Sequence, residues 1–376
     1  MEKSKFKILI IFGTRPEVIK LAPFIKELNK HSDHIDLRVC VTGQHRQMLD
    51  PLLKLFSIEP DDDLDLMQEN QTLEGLTSLV ITKSADILKR ECPDYVVVQG
   101  DTTTSMAVSL AAYYQKIKVV HIEAGLRTGD KYAPFPEEIN RKIIDNISDL
   151  YFVHTEMAKQ NLIREGILEE KIEVTGNTVI DTLLDVVNRE YDIRDTALEN
   201  IPFDTKKIIL VTAHRRESFG PSFENMCNAI KEAALEFSSV VDFVFPVHLN
   251  PHVHEPVYSI LKSIDNIHLI EPLDYPAFVY CMKNCHFILS DSGGIQEEAP
   301  SLNKPVLVMR DTTERQEALE AGATCLVGTE KKSILNGISR LLKDPIAYKA
   351  MSEVVNPYGD GKASERIVRR LIKSFQ

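Results

Sequence analysis

Hydrophobic and polar residues follow two different spacings along this chain. Short runs of branched apolar residues, such as those at 8–12 and 95–99, are separated by longer stretches in which apolar residues recur at every third or fourth position. The short runs are typical of buried strands, and the longer stretches are typical of amphipathic helices. Their regular alternation predicts an α/β fold built on parallel, doubly wound sheets.

The same alternation begins a second time after a polar interruption. Residues 179–194 are predicted to form a helix, and residues 195–206 form a polar linker that contains Pro202. We therefore expect two Rossmann-like doubly wound domains, at 1–180 and 205–360, facing a central cleft, with a helix at 361–376 packing back on the first domain. Strands are predicted at 8–12, 37–41, 95–99, 119–122, 150–153, 207–212, 241–246, 267–270, 287–290, 305–308 and 324–327.

The composition adds constraints on ligands and location. The chain has 376 residues, of which 43% are hydrophobic and 27% charged, as in an ordinary globular protein. Its net charge of −12 disfavours binding to nucleic acid or to an anionic membrane, so an anionic ligand needs a local basic pocket. No apolar run reaches the roughly 18 residues of a membrane span, and the N-terminus lacks signal-peptide features. We expect a cytoplasmic protein.

Two groups of residues have the composition of a metal site. They are Cys281, Cys285 and His286, and His248, His252 and His254. The first group precedes an apolar strand and is more simply explained as part of a core with reduced thiols. Pro251 interrupts any common helical face in the second group. We expect neither group to bind a metal, and we treat His248, nearest the strand end, as a polar contact to a ligand.

The first predicted strand is followed by a basic turn. In this segment Gly13 suits a tight turn, Pro16 suits the first turn of a helix, and Arg15 and Lys20 supply positive charge. Neither a dinucleotide-binding glycine fingerprint nor a P-loop occurs there. The segment could be a simple connection, but its two cations favour the binding of an anionic ligand.

Three carboxylates of the first domain lie just after predicted strands or at the start of a predicted helix. Asp101 comes directly after one strand, Glu123 directly after the next, and Glu137 begins a predicted helix. A single carboxylate at such a place can be a helix cap. Three of them at the same edge of a sheet favour proton transfer, because an acid and a base are then available to one substrate.

Polar residues also follow strands in the second domain. His214 comes after the first of these strands, beside two arginines. Gly293 and Gly294 follow the strand at 287–290, where backbone N–H groups can approach a phosphate. Glu298 suits the two hydroxyls of a ribose, and Arg315 suits a diphosphate.

These motifs together resemble the non-hydrolysing UDP-N-acetylglucosamine 2-epimerases, which have the glycosyltransferase-B fold. The resemblance covers essentially the whole chain. Its motifs are FGTRPE (12–17), GQHRQML (43–49), GDTTTS (100–105), HIEAGLRTGD (121–130), PEEINR (136–141), TGNTVID (175–181), HRRESFG (214–220), PVHLNP (246–251), SDSGGIQEEAPS (290–301), RDTTER (310–315) and NPYGDG (356–361).

The resemblance implies roles for individual residues. Catalysis is expected from Asp101, Glu123, Glu137 and His214, and substrate binding from Arg15, Lys20, Phe278, Ser292, Gly293, Gly294, Glu298 and Arg315. It also implies a homodimer without a cofactor, acting on UDP-N-acetylglucosamine and UDP-N-acetylmannosamine in polysaccharide biosynthesis.

The expected reaction can be argued from chemistry. The hydrogen on carbon 2 of a nucleotide sugar is not next to a carbonyl, and the sequence has no NAD motif that could oxidise a neighbouring carbon. Elimination of UDP with loss of that hydrogen avoids the problem, because it gives a neutral glycal, and re-addition can invert carbon 2. A retaining glycosyltransferase, a hydrolysing 2-epimerase and a non-catalytic nucleotide-sugar sensor are the alternatives that use a similar site.

The resemblance further implies an allosteric site, since bacterial members often bind a second UDP-N-acetylglucosamine. The matching residues are Gln44, Gln47, Glu137, Arg215 and His248. Some activated members carry Arg where this chain has Glu69 and Asn70, so we expect a weaker activator contact. Gln316, where the family usually has Pro, and Leu273 are the other departures.

Overall fold

The structure is a computed structural model that describes residues 5–43, 46–66, 71–215 and 218–375, with residues 46–48 described as backbone. The chain forms two compact units. The first comprises residues 1–182 and 358–376, and the second comprises residues 183–357.

The strands and helices alternate through most of the described chain. The first half contains β1 Phe6–Phe12, α1 Arg15–Asn29, β2 Ile35–Val41, α2 Arg46–Leu55, β3 Asp62–Asp63, α3 Leu73–Glu91, β4 Tyr95–Gln99, α4 Thr103–Tyr114, β5 Lys118–Ile122, α5 Glu137–Ile147, β6 Leu150–Val153, α6 Glu156–Arg164, β7 Ile172–Val174 and α7 Thr178–Val187. The second half contains β8 Lys207–Thr212, α8 Pro221–Glu236, β9 Val241–Pro246, α9 Pro251–Leu261, β10 Ile267–Ile270, α10 Tyr275–Asn284, β11 Phe287–Ser290, α11 Gly293–Glu298, β12 Val306–Val308, α12 Gln316–Glu320, β13 Thr324–Leu326, α13 Lys331–Lys343, α14 Pro345–Ser352 and α15 Ala363–Ser374.

Each unit is built on one parallel sheet. In the first unit the described strands lie in the order β3-β2-β1-β4-β5-β6-β7, and in the second in the order β10-β9-β8-β11-β12-β13. All five residues of β4 are buried. Near-continuous apolar strands of this kind are typical of parallel sheets with helices on both faces. The carboxyl ends of β1, β4 and β5 therefore meet at one edge of the first sheet.

All of the predicted strands are present, with ends that differ by at most two residues. The short strands β3 and β7 were not predicted. The helix prediction at 179–194 is wrong beyond Val187, where α7 ends. There the Asp192 carboxylate accepts a hydrogen bond from the Arg194 N–H at 3.0 Å, and the ring of Tyr191 packs 5.5 Å from that of Tyr280. A local turn and a distant aromatic contact thus replace the last helical turns.

The C-terminal helix α15 belongs to the first unit. The Asp181 carboxylate accepts hydrogen bonds from the N–H groups of Ala363 (3.2 Å) and Ser364 (2.8 Å) and so satisfies the start of α15. At the other end, Phe375 stacks on Phe6 with the ring centroids 3.5 Å apart. Within the described ranges, no helix is long and apolar enough to cross a membrane.

Candidate functional site

A cavity of about 480 Å³ lies at the carboxyl ends of β1, β4 and β5 in the first unit. It brings together five residues singled out from the sequence, which are Arg15, Lys20, Asp101, Glu123 and Glu137. The other lining residues are Thr14, Pro16, Glu17, Gln99, Gly100 and Thr102. Two cations and several carboxylates therefore face one space of substrate size.

Glu17 organises the turn that carries Arg15. Its side chain is fully buried, and one carboxylate oxygen accepts hydrogen bonds from the N–H groups of Gly13 (3.1 Å) and Thr14 (2.8 Å). The other oxygen accepts from the hydroxyls of Thr102 (2.9 Å) and Ser105 (3.1 Å), which follow β4. Burial raises the pKa of this carboxyl, although its hydrogen bonds oppose the shift. Glu17 therefore joins two walls of the cavity.

Glu123 is held in a strained and well-defined position. Its backbone φ is +69°, in the left-handed region that non-glycine residues rarely adopt. One oxygen of its carboxylate lies 2.5 Å from Nζ of Lys20, 3.0 Å from Nε2 of Gln99 and 3.4 Å from Nδ2 of Asn177. Three donors thus aim this carboxylate at the cavity.

Asp101 is positioned by residues of α5. Its Oδ2 accepts hydrogen bonds from the Nε (2.9 Å) and Nη2 (2.6 Å) atoms of Arg141, and its backbone carbonyl accepts from Nδ2 of Asn140 at 2.9 Å. Arg141 also pairs with the buried Glu138 at 3.0 Å. The Asp101 side chain keeps 28% of its surface exposed, so it is anchored but accessible.

Glu137, the first residue of α5, is in a different environment. Its Oε2 atom is buried and makes no hydrogen bond to the described part of the chain. By contrast, the adjacent Glu138 accepts hydrogen bonds from the N–H groups of Thr128 and Gly129. A carboxyl oxygen in the cavity wall that has no hydrogen-bond partner among the described residues is available to exchange a proton with a ligand.

His214 lies in the second unit, directly after β8. The carboxylate of the buried Asp291 accepts hydrogen bonds from the N–H groups of His214 and Arg215, each at 2.8 Å. Burial lowers the pKa of His214 below its usual value, while Asp291 opposes that shift. The rings of His214 and His248 stack with their centroids 5.8 Å apart.

Three arginines of the second unit surround one carboxylate, that of Glu314. It lies 2.9 Å from Nη1 of Arg310, 3.2 Å from Nη2 of Arg215 and 3.7 Å from Nη1 of Arg315. Burial raises the pKa of Glu314, but the three guanidinium groups outweigh it and lower that pKa to about 2. A Cβ on Gly293 would lie 3.0 Å from the Glu314 carboxylate, so a larger residue at this position would crowd the cluster.

The remaining predicted nucleotide-binding residues lie in the same unit. The hydroxyl of Tyr275 donates a hydrogen bond to Glu298 at 2.8 Å. The N–H of Ser292 is satisfied by the Ser290 hydroxyl at 2.9 Å, and Gly294 is the second residue of α11. Phe278 is half-buried on α10.

The departures from the family pattern fall in different places. The side-chain amide of Gln316 donates to the Thr313 carbonyl at 2.6 Å, so a hydrogen bond is available where a proline would have had none. Two other departures, Glu69 and Asn70, lie outside the described residues. The same is true of two predicted allosteric residues, Gln44 and the side chain of Gln47.

The three histidines at 248, 252 and 254, which have the composition of a metal site, each stack on a different ring. His248 stacks on His214, His252 on Phe219 and His254 on Tyr258. Burial raises the pKa of Cys285 to about 12, so it stays a thiol. In the ranges that the structure describes, no three His, Cys, Asp or Glu side chains are grouped to hold a metal ion.

Several residues that contact the predicted site residues of one unit or the other were not identified from the sequence. They are Glu17, Gln99, His121, Arg141, Asp145, Asn177, Tyr275, Glu297 and Glu314. The spacing Thr14-x-x-Glu17 is a capping-box pattern and was a usable signal for Glu17. Several of the others, such as His121, Arg141 and Glu314, lie inside motifs quoted above, but a single sequence carries no signal for the distant partners that they contact.

Comparisons with known proteins identify the family of the chain. The family model described as UDP-N-acetylglucosamine 2-epimerase matches residues 26–372. The UDP-N-acetylglucosamine 2-epimerases of Yersinia pestis and Escherichia coli are each 52% identical to this chain over 370 residues, which is 97% of this chain and 98% of theirs.

Solved structures of such enzymes are also similar. The Neisseria meningitidis UDP-GlcNAc 2-epimerase bound to UDP-GlcNAc is 50% identical, with a TM-score of 0.91 over 98% of this chain and 100% of that chain. The Methanocaldococcus jannaschii enzyme, in complex with UDP-GlcNAc and UDP, is 36% identical with a TM-score of 0.82, over 98% of this chain and 100% of that chain. These enzymes have the glycosyltransferase-B fold, so the predicted fold class is confirmed. The chain belongs to the UDP-N-acetylglucosamine 2-epimerase family.

Proposed function

We propose that this protein interconverts UDP-N-acetylglucosamine and UDP-N-acetylmannosamine by inverting carbon 2, as a non-hydrolysing isomerase. The observation that carries the proposal is the cavity in which Asp101, Glu123 and Glu137 lie together with Arg15 and Lys20. The names of relatives about half identical over nearly the whole chain support the same reaction.

The reaction proceeds by elimination and re-addition. A carboxylate removes the proton from carbon 2, the bond between carbon 1 and the UDP oxygen breaks, and UDP leaves with the electron pair. The product is a neutral glycal. A proton is then delivered to carbon 2 on the opposite face, and the UDP oxygen attacks carbon 1 again. Elimination and re-addition leave the overall oxidation state of the sugar unchanged, so the steps need no oxidant or reductant.

The three carboxylates suit different tasks because their environments differ. Asp101 is held in place by Arg141 and Glu123 by Lys20, each through an ion pair. Glu137 has a buried oxygen without a hydrogen bond in the described chain, and it is the candidate for delivering or accepting the second proton. Arg15 supplies positive charge for the developing negative charge on UDP.

In the second unit, the nucleotide is proposed to use the residues around Gly293. Arg315 is buried and oriented by Glu297, with its Nε 2.6 Å from Oε1 of that residue. It would contact the diphosphate, while Glu298, oriented by Tyr275, would accept hydrogen bonds from the ribose hydroxyls. Ser292 and Gly294 would bind the diphosphate, and Phe278 would pack on the uracil. His214, in the same unit, is proposed as a further catalytic residue.

Incubation in deuterated water tests the function. The purified protein should bring either UDP-sugar to the same equilibrium mixture without added metal or NAD, and NMR should show deuterium on carbon 2 of both. Free N-acetylmannosamine would identify a hydrolysing enzyme instead. Epimerisation without solvent deuterium would contradict the proposed acid and base, and binding without turnover would indicate a sensor.

Three further properties are proposed with the function. A homodimer is suggested by the neighbouring rings of Tyr113 and Tyr114, which are 57% and 69% exposed at the end of α4, and sedimentation can test it. The UDP-N-acetylmannosamine produced is an activated sugar, which a glycosyl transfer in polysaccharide synthesis would consume. Allosteric activation by a second UDP-N-acetylglucosamine would involve Arg215 and His248 together with Gln44 and Gln47.

A further inference from the structure

His121 lies directly behind the cavity, on β5, and is fully buried. Its Nε2 atom is 2.7 Å from the backbone carbonyl oxygen of Gly100, and its Nδ1 atom is 2.6 Å from Oδ1 of Asp145. Both ring nitrogens thus face oxygen atoms. A buried histidine with two short polar contacts is fixed in ring orientation as well as in place.

The partners of the two ring nitrogens show how His121 is held. The Gly100 carbonyl can only accept, so Nε2 of His121 donates to it. The Asp145 carboxylate also accepts hydrogen bonds from Nη2 of Arg127 (2.7 Å) and the N–H of Gly125 (3.2 Å), which stabilise its ionised form. Burial raises the pKa of Asp145, but His121 and Arg127 together lower it below its usual value. Nε2 of His121 therefore holds the Gly100 carbonyl, while Asp145, itself held by Arg127 and Gly125, fixes the ring through its contact with Nδ1.

The contact to Gly100 matters because of where Gly100 lies. It is in the cavity wall between Gln99 and Asp101, with φ at +68°. Its N–H donates to the carbonyl of Ile122 at 2.9 Å, and its carbonyl accepts from His121. Both polar groups of Gly100 are therefore held by β5. The carbonyl of Gly100 belongs to the same peptide plane as the N–H of Asp101, so His121 sets the direction in which Asp101 leaves the strand.

We propose that His121 is a positioning residue for the epimerisation: it holds the Gly100–Asp101 peptide by its Nε2–H, while Asp145 holds its ring through Nδ1. The proposal rests on the proposed function. His121 does not line the cavity, so it acts through Asp101 rather than on the substrate. The Arg127 guanidinium, which holds Asp145, also forms an ion pair with Glu165.

Two substitutions of different length separate positioning from simple packing. In His121→Asn the amide can still reach Asp145 but falls short of the Gly100 carbonyl. In His121→Gln the longer amide can reach that carbonyl. We expect His121→Asn to lower kcat for carbon 2 exchange by roughly 10- to 100-fold with KM unchanged, the scale of a small misplacement of a catalytic group. His121→Gln should recover most of kcat.

A matched control is Tyr151→Phe. Tyr151 pairs with His121 on the neighbouring strand, and its hydroxyl donates to the carbonyls of Asp145 (2.7 Å) and Ser148 (2.5 Å) without touching the Gly100 turn. This variant should lose stability and keep kcat. Equal kcat in His121→Asn and wild type, or equal losses in the Asn and Gln variants, would overturn the proposal.

A second pair of variants serves if His121→Asn does not fold. Alanine at Gly100 would meet no atom within 4 Å, so Gly100→Ala strains this turn by its backbone alone. Gly166 has φ at +92° and the same open surroundings, away from the cavity. Gly100→Ala should lower kcat with KM unchanged, and Gly166→Ala should not; equal kcat in the two would overturn the proposal. The wild-type exchange assay is run first, so a failure of the proposed function itself is seen there, as absent exchange.

Discussion

At the scale of single residues, the three carboxylates of the cavity give the most direct test of mechanism. We expect Asp101→Asn, Glu123→Gln and Glu137→Gln each to fold and to lower turnover by about 100-fold or more, the usual scale for losing a general acid or base. Some of them should release UDP and glycal, because the intermediate forms but is not carried forward. Rates and products can be measured by NMR.

The matched control for these variants is Glu156→Gln, the same change on an exposed side chain at the start of α6. It should keep full activity. If two of the three cavity variants kept near-normal rates, the proton transfers would have to be reassigned to His214 and another group.

The second prediction concerns Glu298 and its partner. Glu298→Ala should weaken UDP binding by roughly 10- to 150-fold, as expected for loss of a hydrogen bond to a charged group worth about 1.5 to 3 kcal/mol. Tyr275→Phe removes one hydroxyl from Glu298 but leaves the carboxylate, so it should weaken UDP binding by less than Glu298→Ala does. Calorimetry measures both, and unchanged affinity in Glu298→Ala would contradict the ribose assignment.

The third prediction concerns Glu314 and pH. Its pKa is lowered from 4.5 to about 2, so the carboxylate contributes stability above pH 4.5 that is lost as the pH falls toward 2. At about 1.36 kcal/mol per pH unit, this amounts to about 3 kcal/mol at neutral pH. Glu314→Gln should therefore unfold at lower denaturant concentration than the wild type at pH 7.

The difference between Glu314→Gln and the wild type should shrink as the pH is lowered from about 4.5 toward 2, because Glu314 takes up a proton in the unfolded chain at a higher pH than in the folded protein. Glu320→Gln, on the exposed side of the following helix, is the control and should change little. A difference in stability that stays constant with pH would mean that the negative charge of Glu314 does not stabilise the cluster of three arginines.

At the scale of elements, the turn after β5 is constrained by α6. Gly125 has φ at +80°, and a Cβ there would come within 2.4 Å of the Ala158 carbonyl oxygen. Gly129 has φ at +84° but open surroundings. Gly129→Ala should cost about 1 to 2 kcal/mol of unfolding free energy from backbone strain alone. Gly125→Ala should cost a further 1 to 3 kcal/mol or so, because α6 must shift.

Denaturant unfolding monitored by circular dichroism can compare these two variants. Because Glu123 lies two residues before Gly125, Gly125→Ala should also reduce kcat in the fraction that folds. Equal stability of the two variants would show that α6 yields easily to the added methyl group and does not constrain the turn.

At the scale of the whole molecule, the proposed regulation predicts unusual kinetics. Starting from purified UDP-N-acetylmannosamine alone, the reaction should begin slowly and accelerate when a little UDP-N-acetylglucosamine is added, because a second ligand shifts the population toward the competent state. Activation should require more ligand than in relatives that carry Arg at the positions of Glu69 and Asn70. Hyperbolic rates that are indifferent to the added sugar would contradict a regulatory site.

His248→Ala should raise the concentration of UDP-N-acetylglucosamine needed for activation. The control is His252→Ala, since His252 lies on the same segment but stacks on Phe219 instead of His214. A similar change in both variants would point to a general effect of the segment on the structure rather than to a ligand contact at His248.

The sequence by itself determined the strands and the edge at which the chemistry lies. Apolar runs such as 95–99 and 207–212 coincide with β4 and β8 because parallel strands are buried on both faces and carry their signal locally. Asp101, Glu123 and Glu137 could be grouped in advance because the carboxyl ends of parallel strands share an edge.

Only the tertiary structure decided which groups hold these residues. Glu314 contacts Arg215, which is 99 positions away, and His121 contacts Gly100 and Asp145, which are 21 and 24 positions away. Beyond the end of α7, Tyr191 likewise packs on Tyr280, which is distant in the sequence. Hydrogen bonds and ion pairs act over a few ångströms of space, whereas a single sequence reports periodicity and local turns, so these partners became visible only in the folded chain.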